Sequence, residues 1–216
     1  MMNWKQLISA KRFGMEEFHE ERQENRSEFQ RDYDRLIFSA PFRRLQNKTQ
    51  VFPLPGSVFV HNRLTHSLEV ASVGRSLGDD VAKALLERHP ELQDSFLPEI
   101  GSIVSAACLA HDLGNPPFGH SGEKAISTFF SEGKGVRLKE KQPNGEQLSP
   151  MEWEDLTHFE GNANAFRILT HQFEGRRKGG FVLTYTTLAS IVKYPFSSSL
   201  ARTKSKFGFF VSEEES

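Results

Sequence analysis

The chain of 216 residues is almost free of cysteine, because Cys108 is the only one. An internal disulfide is therefore impossible, and a zinc site made of cysteine ligands alone is excluded. Cys108 lies within the apolar stretch 104–110. This setting predicts a buried, unreactive thiol rather than a nucleophile.

Long apolar runs and an excess of charge of either sign are also missing. The longest apolar run, around residues 103–110, is far shorter than the roughly 20 residues that a helix needs to cross a bilayer. Residues 1–6 do not resemble the apolar core of a signal peptide, so we expect a cytoplasmic protein with no membrane partner. Lys and Arg total 27 and Asp and Glu total 28, which gives a formal net charge of -1. A polyanionic ligand would therefore need a local cluster of basic groups.

Helical periodicity is what the sequence does contain. Residues 63–88 predict a long helix with one inward stripe, formed by His66, Val70, Val73, Leu77, Val81 and Leu85. Residues 102–113 are apolar on nearly all sides and predict a central buried helix that ends at Gly114. Two more helices are expected near residues 160–173 and 184–194.

The other segments predict less regular structure around this helical centre. Residues 1–35 are strongly charged and are expected to form surface helices. Two β-prone runs around a Pro/Gly turn predict a small β-hairpin over residues 49–60. Residues 131–155 are polar and predict an exposed loop. The sequence therefore predicts a single all-α helical bundle over residues 1–216, with one small β-hairpin.

The strongest chemical signal is the pair His111 and Asp112, at the end of the most apolar helix. An unpaired buried charge costs on the order of several kcal/mol, whereas a divalent cation accepts both imidazole and carboxylate as ligands. His66 on another helix is a third candidate ligand, with Arg63 three residues earlier on the same face. A core histidine bonded to a main-chain carbonyl is the ordinary alternative, and the residues alone leave both interpretations open.

His120 and Glu123 follow three residues apart, at the predicted start of the next helix. A carboxylate beside an imidazole holds its orientation and favours its protonated form. Such a pair suits a general acid near neutral pH. The alternative is a surface histidine and a glutamate that complements the helix dipole.

Five ordered stretches resemble the dGTP triphosphohydrolase family of the HD superfamily, and the similarity runs over nearly all of residues 26–211. The stretches are Phe42-Arg43-Arg44-Leu45-Gln46 with Lys48-Thr49-Gln50-Val51-Phe52, Arg63-Leu64-Thr65-His66-Ser67-Leu68-Glu69, the residues from His111 to Glu123, His158-Phe159-Glu160-Gly161-Asn162, and Lys193-Tyr194-Pro195. The resemblance implies an HD-domain helical bundle.

The resemblance also implies an activity, namely hydrolysis of a deoxynucleoside triphosphate such as dGTP to the deoxynucleoside and inorganic triphosphate. It implies that a divalent metal ion, Mg²⁺, Mn²⁺ or a similar ion, is bound by His66, His111 and Asp112. It implies that His120 with Glu123 is the catalytic pair. The other matched residues would bind the substrate, two at the sugar (Gln50 and Val51) and six at or near the nucleotide and its phosphates (Arg63, Asn115, His158, Asn162, Lys193 and Tyr194).

The chain departs from the family pattern in its metal site. The family completes this site with an aspartate on a later helix, whereas Asp155 is the last aspartate here. We therefore expect a chain that is truncated on its C-terminal side and binds metal weakly through three ligands. Two alternatives stay open: a catalytically incomplete HD-fold fragment that binds nucleotides in a regulatory role, and a different HD phosphohydrolase. The resemblance further implies a homo-oligomer and single-stranded nucleic acid binding near Arg43 and Arg44.

Overall fold

The computed structural model describes residues 3–17, 26–48, 62–140, 142–143, 145–175, 178–200 and 206–216. The regular structure in these residues is helical, and the β-bridges found there are isolated pairs, Arg12 with Thr184 and Ser197 with Phe209. The α-helices are α1 (Trp4–Leu7), α2 (Glu28–Ile37), α3 (Ala40–Arg44), α4 (Arg63–Arg88), α5 (Ile100–Ala110), α6 (His120–Ser131), α7 (Pro150–Thr157), α8 (Gly161–Thr170) and α9 (Tyr185–Ile191). The all-α prediction is confirmed, while the β-hairpin predicted over 49–60 lies outside the described residues.

Short 3₁₀ helices connect several of these elements. They are Leu45–Asn47, Pro90–Leu92, Leu97–Glu99, Lys134–Lys139, Ser198–Leu200 and Val211–Glu213. None of the helices in the described part of the chain is long and apolar enough to span a membrane.

Helix α4 begins at a capping box that Asn62 and Thr65 form. The Thr65 N–H donates to Asn62 Oδ1 at 2.9 Å, and the Asn62 N–H donates to Thr65 Oγ1 at 3.3 Å. This reciprocal capping box satisfies two main-chain donors at the first turn. The predicted helix over 63–88 is therefore confirmed at both ends.

The predicted inward stripe of α4 is wrong. Val73, Leu77 and Val81 are 60%, 60% and 50% exposed. The buried positions of the helix are instead mostly small residues, namely Arg63, Ser67, Ala71, Gly74, Gly78 and Ala82. Small side chains let the backbones of α4 and α5 approach closely, and this packing determines which face is buried.

Helix α5 forms the centre of the main core, as its apolar sequence predicted, but it ends at Ala110 and not at Gly114. Ala106, Leu109 and Ala110 are fully buried and belong to one cluster with residues from the flanking helices: Leu36, Phe42, Leu45, Ala71, Leu113, Ala165, Phe166, Leu169, Leu183 and Leu188. Cys108 is half-buried rather than buried. Burial raises the pKa of its thiol, which supports the prediction of an unreactive cysteine.

The segment over residues 131–155 is more regular than the predicted loop. It contains the 3₁₀ helix Lys134–Lys139 and the start of α7. Ser149 and Glu152 form a reciprocal capping box around the first turn of α7, with Pro150 at the first helical position. This combination initiates a helix even in a polar segment.

The N-terminal segment is only partly helical and is held by one buried cation. In the described parts of residues 1–35, helix is limited to α1 and most of α2. The guanidinium of Arg12 donates to Asp32 Oδ1 at 2.7 Å, to Val182 O at 2.6 Å and to Glu28 Oε2 at 2.5 Å. Because Asp32 is completely buried, this charge pairing attaches the segment to α2 and to the residues before α9.

Candidate metal centre and adjoining pocket

The structure brings His66, His111 and Asp112 together. Their candidate ligand atoms all lie within 4.8 Å of one another, and the two imidazole centroids are 5.3 Å apart. His66 comes from the first turn of α4, while His111 and Asp112 follow the last turn of α5. Two imidazole nitrogens and a carboxylate oxygen form a mixed donor set that suits a divalent transition-metal ion.

The orientation of His111 is fixed by a hydrogen bond to the main chain. Its Nδ1 lies 2.6 Å from Cys108 O. Because a carbonyl oxygen only accepts, this contact places the ring proton on Nδ1 and leaves the Nε2 lone pair available to a metal. Nε2 lies 3.5 Å from Asp112 Oδ1. The hydrogen bond to a main-chain carbonyl, which is expected of an ordinary core histidine, is thus present. The same hydrogen bond also orients the ring as a metal ligand.

Both imidazoles are half-buried, rather than buried as the predicted inward stripe required of His66. The His111 side chain retains 37% of its accessible surface. His66 lies in the first turn of α4, and His111 is the residue that follows the last turn of α5. An incoming ion can therefore reach both rings without unfolding the core.

Asp112 is buried and held through both of its carboxylate oxygens. Arg63 Nη1 donates to Oδ2 at 2.7 Å, and Asn115 Nδ2 donates to Oδ1 at 2.5 Å. Charge-assisted bonds of this kind offset the loss of hydration of a buried carboxylate. Arg63 and Asn115, two residues predicted to lie at the nucleotide, therefore also orient a candidate metal ligand.

His120 and Glu123 form the predicted pair. His120 Nδ1 lies 2.7 Å from Glu123 Oε2, and Glu123 Oε1 accepts from the Gly161 N–H at 2.9 Å. The Glu123 side chain is 13% exposed, whereas that of His120 is 83% exposed. The Glu123 carboxylate is thus bonded to the main chain at the N-terminus of α8. It holds the His120 imidazole, which remains accessible to a ligand.

Gly161 allows α8 to approach both parts of the site. A Cβ at this position would lie 2.2 Å from Asn115 Oδ1 and 2.7 Å from Glu123 Oε1. These distances are far below van der Waals contact. The absence of a side chain at the first residue of α8 is therefore what lets the Asp112–Asn115 turn and Glu123 meet there.

A tight turn directs His120 away from the core. Phe118 and Gly119 both have positive φ angles, 67° and 56°. Phenylalanine rarely adopts this left-handed conformation, and strain of this kind concentrates at functional sites. The chain reverses at these residues, so that α6 begins at His120 beside the pocket.

The cavity next to these groups has a volume of about 580 Å³, within the range of roughly 300–1,000 Å³ that is common for small-molecule sites. It is lined by Val104, Ala107, Cys108, His111, Asp112, Asn115, His120, Glu123, Asn162, Ala165, Ser190, Ile191, Lys193 and Lys206. Most of the predicted site residues thus line one cavity, and Arg63 adjoins it through its bond to Asp112.

Three predicted substrate residues do not line this cavity, and two others cannot be placed. Arg63 lies behind Asp112, to which it is bonded. His158 caps the end of α7, where its Nδ1 lies 3.1 Å from Glu154 O. The ring of Tyr194 lies beneath the Lys193 ammonium, with 5.6 Å between Nζ and the ring centroid. Gln50 and Val51 lie outside the described residues.

Sequence reasoning missed Lys206, which lines the cavity from the far end of the chain. Its Nζ donates to Glu160 Oε1 at 3.1 Å. Burial alone would lower the pKa of this ammonium, but the hydrogen bond and the negative charge of Glu160 outweigh burial and raise it. The only local signal was the apolar spacing of the following residues, since Phe207 and Phe210 are buried together against Ala163.

The sequence also assigned no role to Lys48, although this residue belongs to one of the five stretches that resemble the family. Its ammonium donates to Asn115 O at 2.9 Å. Burial, and then the nearby Arg63, lower the pKa of Lys48, while Asp112 opposes that shift. No local pattern indicates a contact between residues 67 positions apart.

The sequence of this chain matches a family model and several known proteins. The model of the HD domain family matches residues 63–194. A deoxyguanosinetriphosphate triphosphohydrolase-like protein of Synechocystis sp. is 48% identical over 223 residues, covering 99% of this chain and 49% of the relative. A protein of the same name from Pseudomonas aeruginosa is 47% identical, covering 98% of this chain and 47% of the relative.

A more distant relative carries the shorter name, deoxyguanosinetriphosphate triphosphohydrolase. This protein of Yersinia enterocolitica is 37% identical, covering 99% of the chain and 47% of the relative. The chain thus spans about half the length of the curated relatives that it matches. The resemblance inferred from the five motifs is confirmed, and because the family model covers more than half of the sequence, the chain belongs to the HD domain family.

Proposed function

We propose that this chain carries the catalytic centre of a metal-dependent hydrolase that converts a deoxynucleoside triphosphate, dGTP among them, to the deoxynucleoside and inorganic triphosphate. One observation carries the proposal: His111 and Asp112, whose candidate ligand atoms lie within 4.8 Å of that of His66, line the same cavity as the His120–Glu123 pair. The names of the relatives support the choice of substrate.

The residues present fit a divalent transition-metal ion such as Mn²⁺ better than Mg²⁺, because two of the three donors are imidazole nitrogens. His66, His111 and Asp112 would hold it, with the His111 lone pair already freed by the Cys108 carbonyl. The chemistry that such an ion would supply is polarisation of a phosphate oxygen and activation of a water molecule. Asp112 is kept in place by Arg63 and Asn115, so its orientation does not depend on the ion.

His120 supplies the proton that the reaction needs. Water attacks the α-phosphorus and forms a new P–O bond, while the bond from that phosphorus to the 5′ oxygen breaks. The departing 5′ oxygen is a poor leaving group until it is protonated, and His120 donates that proton from Nε2, because Glu123 occupies its Nδ1. The water proton is returned to solvent or to the imidazole.

The lysines of the cavity offset the charge of the phosphates. Lys193 and Lys206 line the same cavity as His120, and Lys206 is fixed by Glu160. Ammonium groups that face a developing negative charge stabilise the transition state of phosphoryl transfer. A polyanion is thus met by local cations even though the whole chain is nearly neutral.

The decisive experiment is product analysis with purified protein, Mn²⁺ and dGTP. We expect deoxyguanosine and intact triphosphate, resolved by ion-exchange chromatography and ³¹P NMR. His120→Ala should abolish the release, whereas His89→Ala, at an exposed histidine bonded to Glu91, should leave it unchanged.

The two alternatives give different results in the same experiment. Release of orthophosphate or pyrophosphate would identify a different HD phosphohydrolase. Binding of Mn²⁺ and dGTP without any hydrolysis would identify a catalytically incomplete, nucleotide-binding module.

The proposal extends to partners and location. Arg43 and Arg44 are exposed at the end of α3, where they are accessible to single-stranded nucleic acid. A homo-oligomer and a cytoplasmic location also stay predictions. Light scattering at several protein concentrations measures the oligomer, and fluorescence anisotropy with a labelled oligonucleotide measures the nucleic acid binding.

A further inference from the structure

Lys48 connects the two segments that carry the candidate metal ligands. Its main-chain oxygen accepts from the N–H of Arg63, the first residue of α4, at 3.0 Å. Its side-chain ammonium donates to Asn115 O at 2.9 Å. One residue therefore contacts both the start of the helix that carries His66 and the turn that follows Asp112.

The contacts of Lys48 coincide with those that orient Asp112. Arg63 bonds one oxygen of the Asp112 carboxylate, and Asn115 bonds the other. Lys48 bonds the main chain of these same two residues. Removing its ammonium would release the turn over residues 112–115 from the start of α4 without touching Asp112 itself.

The electrostatic position of Lys48 is unfavourable. Burial lowers the pKa of its ammonium, and the positive charges of Arg63 and Arg44 lower it further against the opposing effect of Asp112. A positive charge next to a metal site also weakens cation binding through Coulomb repulsion. Any benefit of Lys48 to metal binding must therefore come from its hydrogen bonds. The charge of Lys48 predicts that its removal strengthens metal binding, whereas the hydrogen bonds predict that its removal weakens metal binding.

We propose that Lys48 is a positioning residue of the metal centre, whose bond to Asn115 holds the Asp112–Asn115 turn against α4 so that His66, His111 and Asp112 converge before an ion arrives. The inference rests on the proposed metal site and assigns a new role within it. Outer contacts of this kind alter metal affinity by about 10–100-fold in proteins in which they have been removed.

The first test is a calorimetric titration of Lys48→Met with Mn²⁺. The variant keeps most of the apolar stem and removes the ammonium, and we expect Mn²⁺ to bind about 10-fold more weakly at nearly unchanged thermal stability. Lys48→Arg keeps the charge and the donor, so it should retain most of the affinity. Unchanged or tighter binding by Lys48→Met would overturn the proposal, as would a global loss of folding.

A matched control separates local charge from geometry. Arg44→Met removes an exposed cation that also acts electrostatically on Lys48. We expect its affinity for Mn²⁺ to be unchanged or slightly higher. Equal weakening in the two variants would show that the bond to Asn115 is irrelevant.

The second test needs no metal, so it distinguishes failure of this inference from failure of the proposed function. The N–H of Leu113 donates to Ala110 O, and the N–H of Asn115 donates to Asp112 O. Hydrogen exchange at these two amides should be faster in metal-free Lys48→Met and unchanged in Arg44→Met. Unaltered exchange would refute the positioning role. Absence of Mn²⁺ binding by the unsubstituted protein would instead refute the metal site.

Discussion

The crossing of α4 and α5 allows a stability prediction to be worked from the structure. A Cβ at Gly78 would lie 2.8 Å from Gly101 Cα and 3.1 Å from Gly101 N. Alanine gains about 1 kcal/mol in helix propensity over glycine, while overpacking a closed contact costs about 1–3 kcal/mol. Because main-chain atoms cannot rotate away, we expect Gly78→Ala to lower the free energy of unfolding by up to about 2 kcal/mol, measured by urea denaturation.

Gly74 provides the matched control for this prediction. Its Cβ would lie 2.7 Å from Cys108 Sγ and 3.3 Å from Val104 Cγ1, which are side-chain atoms. Replacing Cys108 by alanine removes the nearest of them. Gly74→Ala in a Cys108→Ala background should therefore be tolerated and gain up to about 1 kcal/mol of helix propensity.

The result that would refute the reasoning is a gain in stability from Gly78→Ala. The helix-propensity term would then dominate, and the two helices would have to be farther apart than the structure shows. Equal losses from Gly78→Ala and from Gly74→Ala in the Cys108→Ala background would also contradict the distinction between main-chain and side-chain neighbours.

Three further predictions concern buried or site charges. Burial raises the pKa of Asp155, so the folded state favours its protonated form, and this stabilisation is lost as the pH rises through the folded-state pKa. Asp155→Asn should therefore be more stable than the unsubstituted protein at pH 8. The difference between their thermal melting temperatures should vanish on acidification. Arg12→Met leaves the buried Asp32 without its cation, and should lower the free energy of unfolding by about 3–5 kcal/mol in urea. Glu123→Gln removes the carboxylate beside His120 and should lower kcat by about 100-fold with Mn²⁺ affinity unchanged by calorimetry.

Helical spacing and composition were sufficient to predict much of the fold. The spacing over residues 63–88 indicates α4, and the apolar composition of residues 102–113 indicates α5 and the position of His111 near its end. Helices α8 and α9 lie within the ranges predicted for them, with shorter ends. These features depend on residues close together in the sequence, which is why they could be recognised there.

The errors arose where packing overrides a local pattern. Val73 and Leu77 have the spacing of a buried stripe, yet the adjacent, glycine-containing face of α4 allows the closer contact with α5. Helix α7 was missed because the polarity of residues 131–155 masked a capping box at Ser149. A hydrophobic pattern states which residues are apolar, but not which face a neighbouring backbone can approach.

The candidate site likewise contains residues that are close together in the sequence and residues that only long-range packing brings there. His111 and Asp112 are adjacent in the sequence, and His120 and Glu123 are three residues apart, so both pairs could be proposed without a structure. Lys206 reaches the cavity only because the last described residues pack over α8. Long-range contacts of this kind have no signature in a single sequence.

The junction at the N-terminus of α8 explains why the metal cluster and the His120–Glu123 pair belong to one site rather than two. Asn115 bonds Asp112 on one side, and its amide oxygen lies 2.2 Å from the position that a Gly161 Cβ would occupy. The N–H of Gly161 in turn donates to Glu123, which holds His120. A displacement of α8 would therefore disturb the candidate metal ligand and the candidate acid together. This shared support, more than the His–Asp pair alone, is the physical basis for assigning both groups to a single reaction.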